Sequence, residues 1–212
     1  MDFHNESVAS PFKTVWLHPR DTVRAIVAEN PKLHVLLLVC LAGIGKTLNG
    51  RSMRDAGDKL PVWAIFAIAL VIGPLGGLLG LWIYSHLLRW TGNWLGGVAP
   101  RAYLRTAIAW SAVPIVCSLL LWIPELLLIG TDIFTRETPR LDAHPLLWIP
   151  FIVLSGGETI LGIWSFVISC QMVAEVQGFR SAWRGLGNIF LSGAVVVIPF
   201  FLILLGVALC FR

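Results

Sequence analysis

Glu158 is the residue whose surroundings most invite chemistry. It lies near the middle of an apolar segment running from about Leu146 to Val173, and Ser155, Gly162, Ser165 and Ser169 share its helical face. A carboxylate at that depth is costly in hydrocarbon and by default marks a functional site. Glu158, Ser165 and Ser169 are the candidate intramembrane polar site, a possible lining for a proton or cation path. The structural reading is a protonated Glu158 bonded to another helix, or to carbonyls freed around Gly156 and Gly157. Glu125, beside Pro124, is nearer the end of its own apolar segment and is expected to reach water.

The other reactive residue types form no constellation. His4, His18, His34, His86 and His144 are dispersed, with no HExxH or GxSxG. Intramembrane proteolysis needs paired groups at depth, and a single glutamate does not supply the pair. GIGKT at Gly43–Thr47 has the tail of a phosphate loop, but the leading glycine falls at Cys40 and the fragment closes an apolar run instead of following a strand. LSGGE at Leu154–Glu158 is likewise embedded in hydrophobic sequence. Cys40, Cys117, Cys170 and Cys210 are single and far apart, as small packing residues would be. No catalytic, cofactor-binding or metal-ligating residue is expected, and so no enzyme.

The elements that hold Glu158 are those of a membrane protein. The chain is 57% hydrophobic and 13% charged, against about 25% charge in soluble domains. Five apolar segments recur: about Leu33–Leu48, Pro61–Leu88, Ala102–Ile129, Leu146–Val173 and Asn188–Phe211. The first is short. Several others exceed the roughly 20 residues a span needs, so tilt, protrusion or kinks at Pro114, Pro124 and Pro199 absorb the excess. Continuous rather than alternating apolarity excludes a lipid-facing barrel and leaves helices. Trp63, Trp90, Trp94, Trp148 and Trp183 cluster near segment ends, as interfacial anchors do.

Ahead of the spans, Phe12, Val15, Trp16, Val23, Ile26 and Val27 match one helical face, opposite Lys13, Arg20 and Arg24. Pro19 suits the first residue of a helix, Asn30-Pro31 suits its end, and residues 1–11 read as disordered. Such a helix fits the plane of the membrane interface; the alternative is packing beneath the bundle. The expected fold is therefore all-α: a polytopic bundle of five transmembrane helices with an N-terminal amphipathic interfacial helix. Residues 1–31 form the N-terminal segment and residues 32–212 the transmembrane domain. No cleavable leader is evident, so the first span is expected to act as its own insertion signal.

Odd spans place the termini on opposite sides. A cytoplasmic N-terminus puts nine basic residues inside (Lys13, Arg20, Arg24, Lys32, Arg89, Arg101, Arg105, Arg180, Arg184) and seven outside (Lys46, Arg51, Arg54, Lys59, Arg136, Arg140, Arg212). That bias favours the N-terminus inside. The net charge of +4 comes in no basic run, which speaks against nucleic acid. In the second span Gly73 with Gly77, and Gly76 with Gly80, form two small-xxx-small pairs. They are the candidate helix-packing face, serving either the bundle itself or association.

The order of segments resembles the Yip family, the membrane domain named for Ypt/Rab-GTPase-interacting proteins, in its compact bacterial form. The resemblance is carried by WLHPRDT from Trp16, the glycine-rich second span, LLRWTGNWLGG ending in Gly96-Gly97, YLRTAIAWSAVPIV with Ser111 and Pro114, and IWSFVISCQMVAEVQGFRSAWR. It covers about residues 12–211 and implies five spans with a cytoplasmic N-terminus. The longer N-terminal region that links eukaryotic relatives to small GTPases has no counterpart here, so a GTPase partner is not supported. Expected partners are membrane lipids, a second copy, or another membrane protein, in a bacterial inner membrane. The function these features imply is non-enzymatic organisation of membrane or partner proteins by helix association. The rival is a small transporter or channel with its path at Glu158; a lipid-acting enzyme ranks third.

Overall fold

The computed structural model describes residues 10–50 and 56–210. His4, Arg51, Arg54, Arg212, the Cys210 side chain and most of the tail expected to be disordered lie outside them. Among the described residues the chain is helical, without strands.

A single turn, α1 (Pro11–Thr14), leads into α2 (Pro19–Glu29), with Pro19 at its start and extended Asn30 at its end as the sequence implied. Next comes α3 (Val35–Leu48), 14 residues long. At 1.5 Å per residue it covers about 21 Å, short of the ~30 Å hydrocarbon thickness. The second apolar segment is α4 (Val62–Trp94), helical through Pro74 and extending past Leu88. The third is broken by turns into α5 (Arg101–Ser111), α6 (Val113–Ser118) and α7 (Trp122–Leu128). Pro114 and Pro124 each stand near the start of a new piece, where a missing N–H is tolerated. After the short α8 (Pro139–Ala143) come α9 (Trp148–Val176) and α10 (Ala182–Cys210).

Four helical stretches are long and apolar enough to cross a membrane, namely 62–94, 101–128, 145–176 and 182–202, and α3 is a shorter apolar fifth. Their outer faces carry Leu70, Ile72, Leu79, Ile152, Val153 and Phe200, all more than half exposed. A soluble monomer rarely shows apolar patches of that extent. Lipid is their solvent.

Where the start of α3 meets the C-terminal half of α5, the core gathers Val15, Val23, Ile26, Leu38, Trp110, Ile168 and Met172. The apolar face of α2 is thus covered by α5 and α9: Val23 and Ile26 are 0% and 2% exposed. The amphipathic helix is present, and its buried side rests on protein. The turn between α2 and α3 is pinned by side chains, since Thr106 Oγ1 donates to the Pro31 carbonyl and Trp110 Nε1 donates to that of Leu33 at 3.0 Å. Carbonyls between helices need such partners when water is scarce. At the other end Leu48, Ile65, Trp122 and Phe134 form a second cluster.

Candidate functional site

The four glycines of α4 divide between two surroundings. A Cβ on Gly77 would strike the Val39 carbonyl of α3, and one on Gly73 would stand 2.7 Å from the Ile44 Cα. Their counterpart is Gly43, where a Cβ would collide with the Gly73 carbonyl. Missing side chains therefore bring α3 and α4 into backbone contact. GIGKT is part of this contact and wholly helical, and LSGGE is helical inside α9, so neither forms a phosphate loop. Gly76 and Gly80 point away from α3, and among the described residues no other part of the protein comes within 4 Å of a Cβ at either.

All four glycines border a groove of about 650 Å³, together with Gly162, Ser165 and Ser169 of α9. Ser165 is buried, and its hydroxyl donates to the Ser111 carbonyl at 2.6 Å where α5 ends. The groove thus unites the glycine face and two of the serines, which the sequence treats as separate features.

Glu158 does not join them. It is two helical turns away, about 10 Å along the axis, and lines a smaller cavity of about 170 Å³ with Glu125, Asp132, Trp122 and Ser155. The expectation for Glu125 needs correcting: it is 3% exposed and turned inward. The turn at residues 119–121 interrupts the helical phase and re-aims the following piece, an effect that span position alone does not reveal. Trp122 Nε1 is buried in the same wall without a hydrogen-bond partner among the described residues. Asp132 accepts from the Arg140 backbone N–H at 2.7 Å, fixing the loop over the cavity. Carboxylates from α7 and α9 thus line one cavity. Among the described residues no His, Cys, Asp or Glu group is arranged to hold a metal, and Cys40, Cys117 and Cys170 are free.

With the architecture in view, the family is settled by a match over nearly the whole length: the family model for the Yip1 domain covers residues 13–209. The chain belongs to the Yip1 family. Neither the curated proteins nor the solved structures gave a match.

In this Yip1 domain the helix ends opposite the Glu158 cavity are tied by a polar knot that the sequence did not announce. Gln177, 1% exposed, donates from Nε2 to the Leu88 carbonyl at 2.9 Å and accepts from the Ala99 N–H at 3.2 Å. Asn188 Nδ2 donates to the same carbonyl, and Thr91 Oγ1 donates to Asn188 Oδ1 at 2.7 Å. Gly92 and Gly97 leave room for the Gln177 amide, and Gly96 supplies a φ of +81°. The only hint in sequence is a pair of amide residues at the ends of apolar runs. At the C-terminal end of α9, Glu175 receives two hydrogen bonds from the Arg24 guanidinium, at 2.9 and 2.7 Å, which clamp α2 to α9. That hydrogen bonding, with the carboxylate charge, holds the Arg24 pKa above its ordinary value.

Proposed function

We propose that this Yip1-family membrane protein is a non-enzymatic organiser that associates with a second transmembrane helix, from another copy or another protein, through Gly76 and Gly80. The observation that carries this reading is the split among the glycines. Gly73 and Gly77 are spent on α3, whereas Gly76 and Gly80 meet open space between the exposed Ile72, Leu79 and Ile83. A small-xxx-small pair flanked by large aliphatics lets a helix approach to backbone distance, where dispersion drives association in lipid. The setting we favour is a bacterial inner membrane with the N-terminus in the cytoplasm.

Energy transfer between two labelled populations of the full chain in liposomes tests this. Wild type is expected to associate, and the double change Gly76→Leu with Gly80→Leu to weaken association by about tenfold, equivalent to roughly 1.4 kcal/mol. The variant should keep its helix content, because a Cβ at either position meets nothing within 4 Å. Equal transfer from both proteins would sink the idea.

The cavity at Glu125 and Glu158 favours a second reading, a proton or cation pathway with Glu158 as its inner carboxylate. Proteoliposome flux decides it. A pathway demands wild-type flux above empty liposomes and at least a tenfold loss in Glu158→Gln. Our expectation under the organiser reading is background flux from both, since the cluster around Trp110 and Met172 fills the bundle toward the opposite end.

A further inference from the structure

A third cavity, of about 360 Å³, opens between α3, α4 and α5, and its lining changes character from one end to the other. Lys32 and Arg105 stand at one end; Leu36, Leu78, Leu81 and Trp82 form most of the remaining wall, and among the described residues no acidic one lines it. Arg105 Nε is buried and without a hydrogen-bond partner among the described residues. A buried guanidinium N–H left unmet is costly, and here it asks for an acceptor that the described protein does not supply. Two helices also begin at this place. Val35 opens α3, Ala102 lies in the first turn of α5, and neither helix has a side-chain cap. Their uncapped N–H groups add partial positive charge beside the two cations. The turn that presents Lys32 is held to α5 by Thr106 and Trp110, and its own N–H donates to Asn30 Oδ1 at 3.0 Å, so the mouth is built rather than incidental.

We infer that this groove binds an anionic phospholipid. Its phosphate meets Arg105 and Lys32 at the starts of α3 and α5, and an acyl chain lies along Leu36, Leu78 and Trp82. The volume far exceeds what a phosphate needs, and the apolar wall continues from the charged mouth, which selects a lipid over a free anion. Leu36 and Trp82 are 66% and 55% exposed, so the slot opens to the bilayer from the side. Guanidinium and ammonium groups at headgroup depth suit this chemistry. Neither Gly76 nor Gly80 lines this site.

Native mass spectrometry of the detergent-solubilised full chain tests it, titrating phosphatidylglycerol and phosphatidylcholine with identical acyl chains. The expected result is one retained phosphatidylglycerol, bound about tenfold more tightly than phosphatidylcholine, as two basic groups near a headgroup allow. The double variant Lys32→Ala with Arg105→Gln should erase that preference. Arg89→Gln with Arg184→Gln, which removes charge outside the groove, should keep it. Equal retention of the two lipids by wild type would overturn the assignment, as would loss of preference in the Arg89 and Arg184 variant. Competition by water-soluble glycerol 3-phosphate as effective as the lipid would overturn it in favour of a plain anion site. If the Lys32 and Arg105 variant does not fold, Leu36→Trp takes its place, filling the slot from its exposed rim. Reduced phosphatidylglycerol retention by that variant supports the site, and unchanged retention contradicts it.

Discussion

Gly77→Leu is expected to prevent recovery of the folded bundle, while Gly76→Leu, one residue away, leaves it intact. The side chain added at Gly77 points at the Val39 carbonyl, and backbone cannot swing aside as a flexible side chain does. Nor can α3 back away easily, because the turn before it is fixed to Thr106 and Trp110. Overpacking a close contact costs about 3 kcal/mol, a large share of the 5–15 kcal/mol that holds a typical protein together. Leucine has the better helix propensity at both positions, so propensity alone predicts two slightly stabilised proteins. Monodisperse yield after mild detergent extraction, followed by thermal unfolding, separates these outcomes. Near-equal yields and melting temperatures for the two variants would show that the α3–α4 contact is not backbone-close.

The same glycines show what one-dimensional information can carry. Spacing alone identifies both small-xxx-small pairs, because four residues are about one helical turn. It cannot say which pair faces inward, since that depends on Gly43, thirty residues earlier and inside a fragment that resembles a nucleotide loop. The apolar runs mark all five membrane segments, and the prolines mark where the third breaks, because hydrocarbon and a missing N–H act locally. The end of α4 is different. The apolar run closes at Leu88, yet residues 89–94 stay helical where Thr91 bonds to Asn188. The periodicity of residues 12–27 shows an apolar face without showing whether lipid or protein covers it; protein covers it. Glu158 is visible from depth alone. Its companion Glu125 is not, because a turn between α6 and α7 sets its direction and the two residues are distant in sequence.

Gln177→Leu is the second change expected to have a large effect, and it acts on the opposite end of the molecule. Leucine matches the buried volume but removes both polar atoms, so the Ala99 N–H loses its acceptor and the Leu88 carbonyl keeps only Asn188. An orphaned buried donor costs about 1–3 kcal/mol, although interhelical bonds within lipid average only about 0.6 kcal/mol. The loop at residues 95–100 is not a helix and draws its order from such bonds, so we expect about 2 kcal/mol, toward the upper figure. Gln177→Glu should retain part of the loss, since a carboxylate can still accept from Ala99 but cannot donate to Leu88. Asn188→Leu removes the other donor to the same carbonyl. If the two amides act as one knot, the double variant with Gln177→Leu departs from additivity by more than about 0.5 kcal/mol. The knot joins the ends of α4, α9 and α10, and we expect it to share with the α3 contact in setting the rotation of α4 about its axis. Loosening it should turn Gly76 and Gly80 away from a docking helix, so Gln177→Leu is expected to weaken association in liposomes even where the protein remains folded. A stable, associating Gln177→Leu protein with additive energetics would mean that the glycine face is oriented by the α3 contact alone.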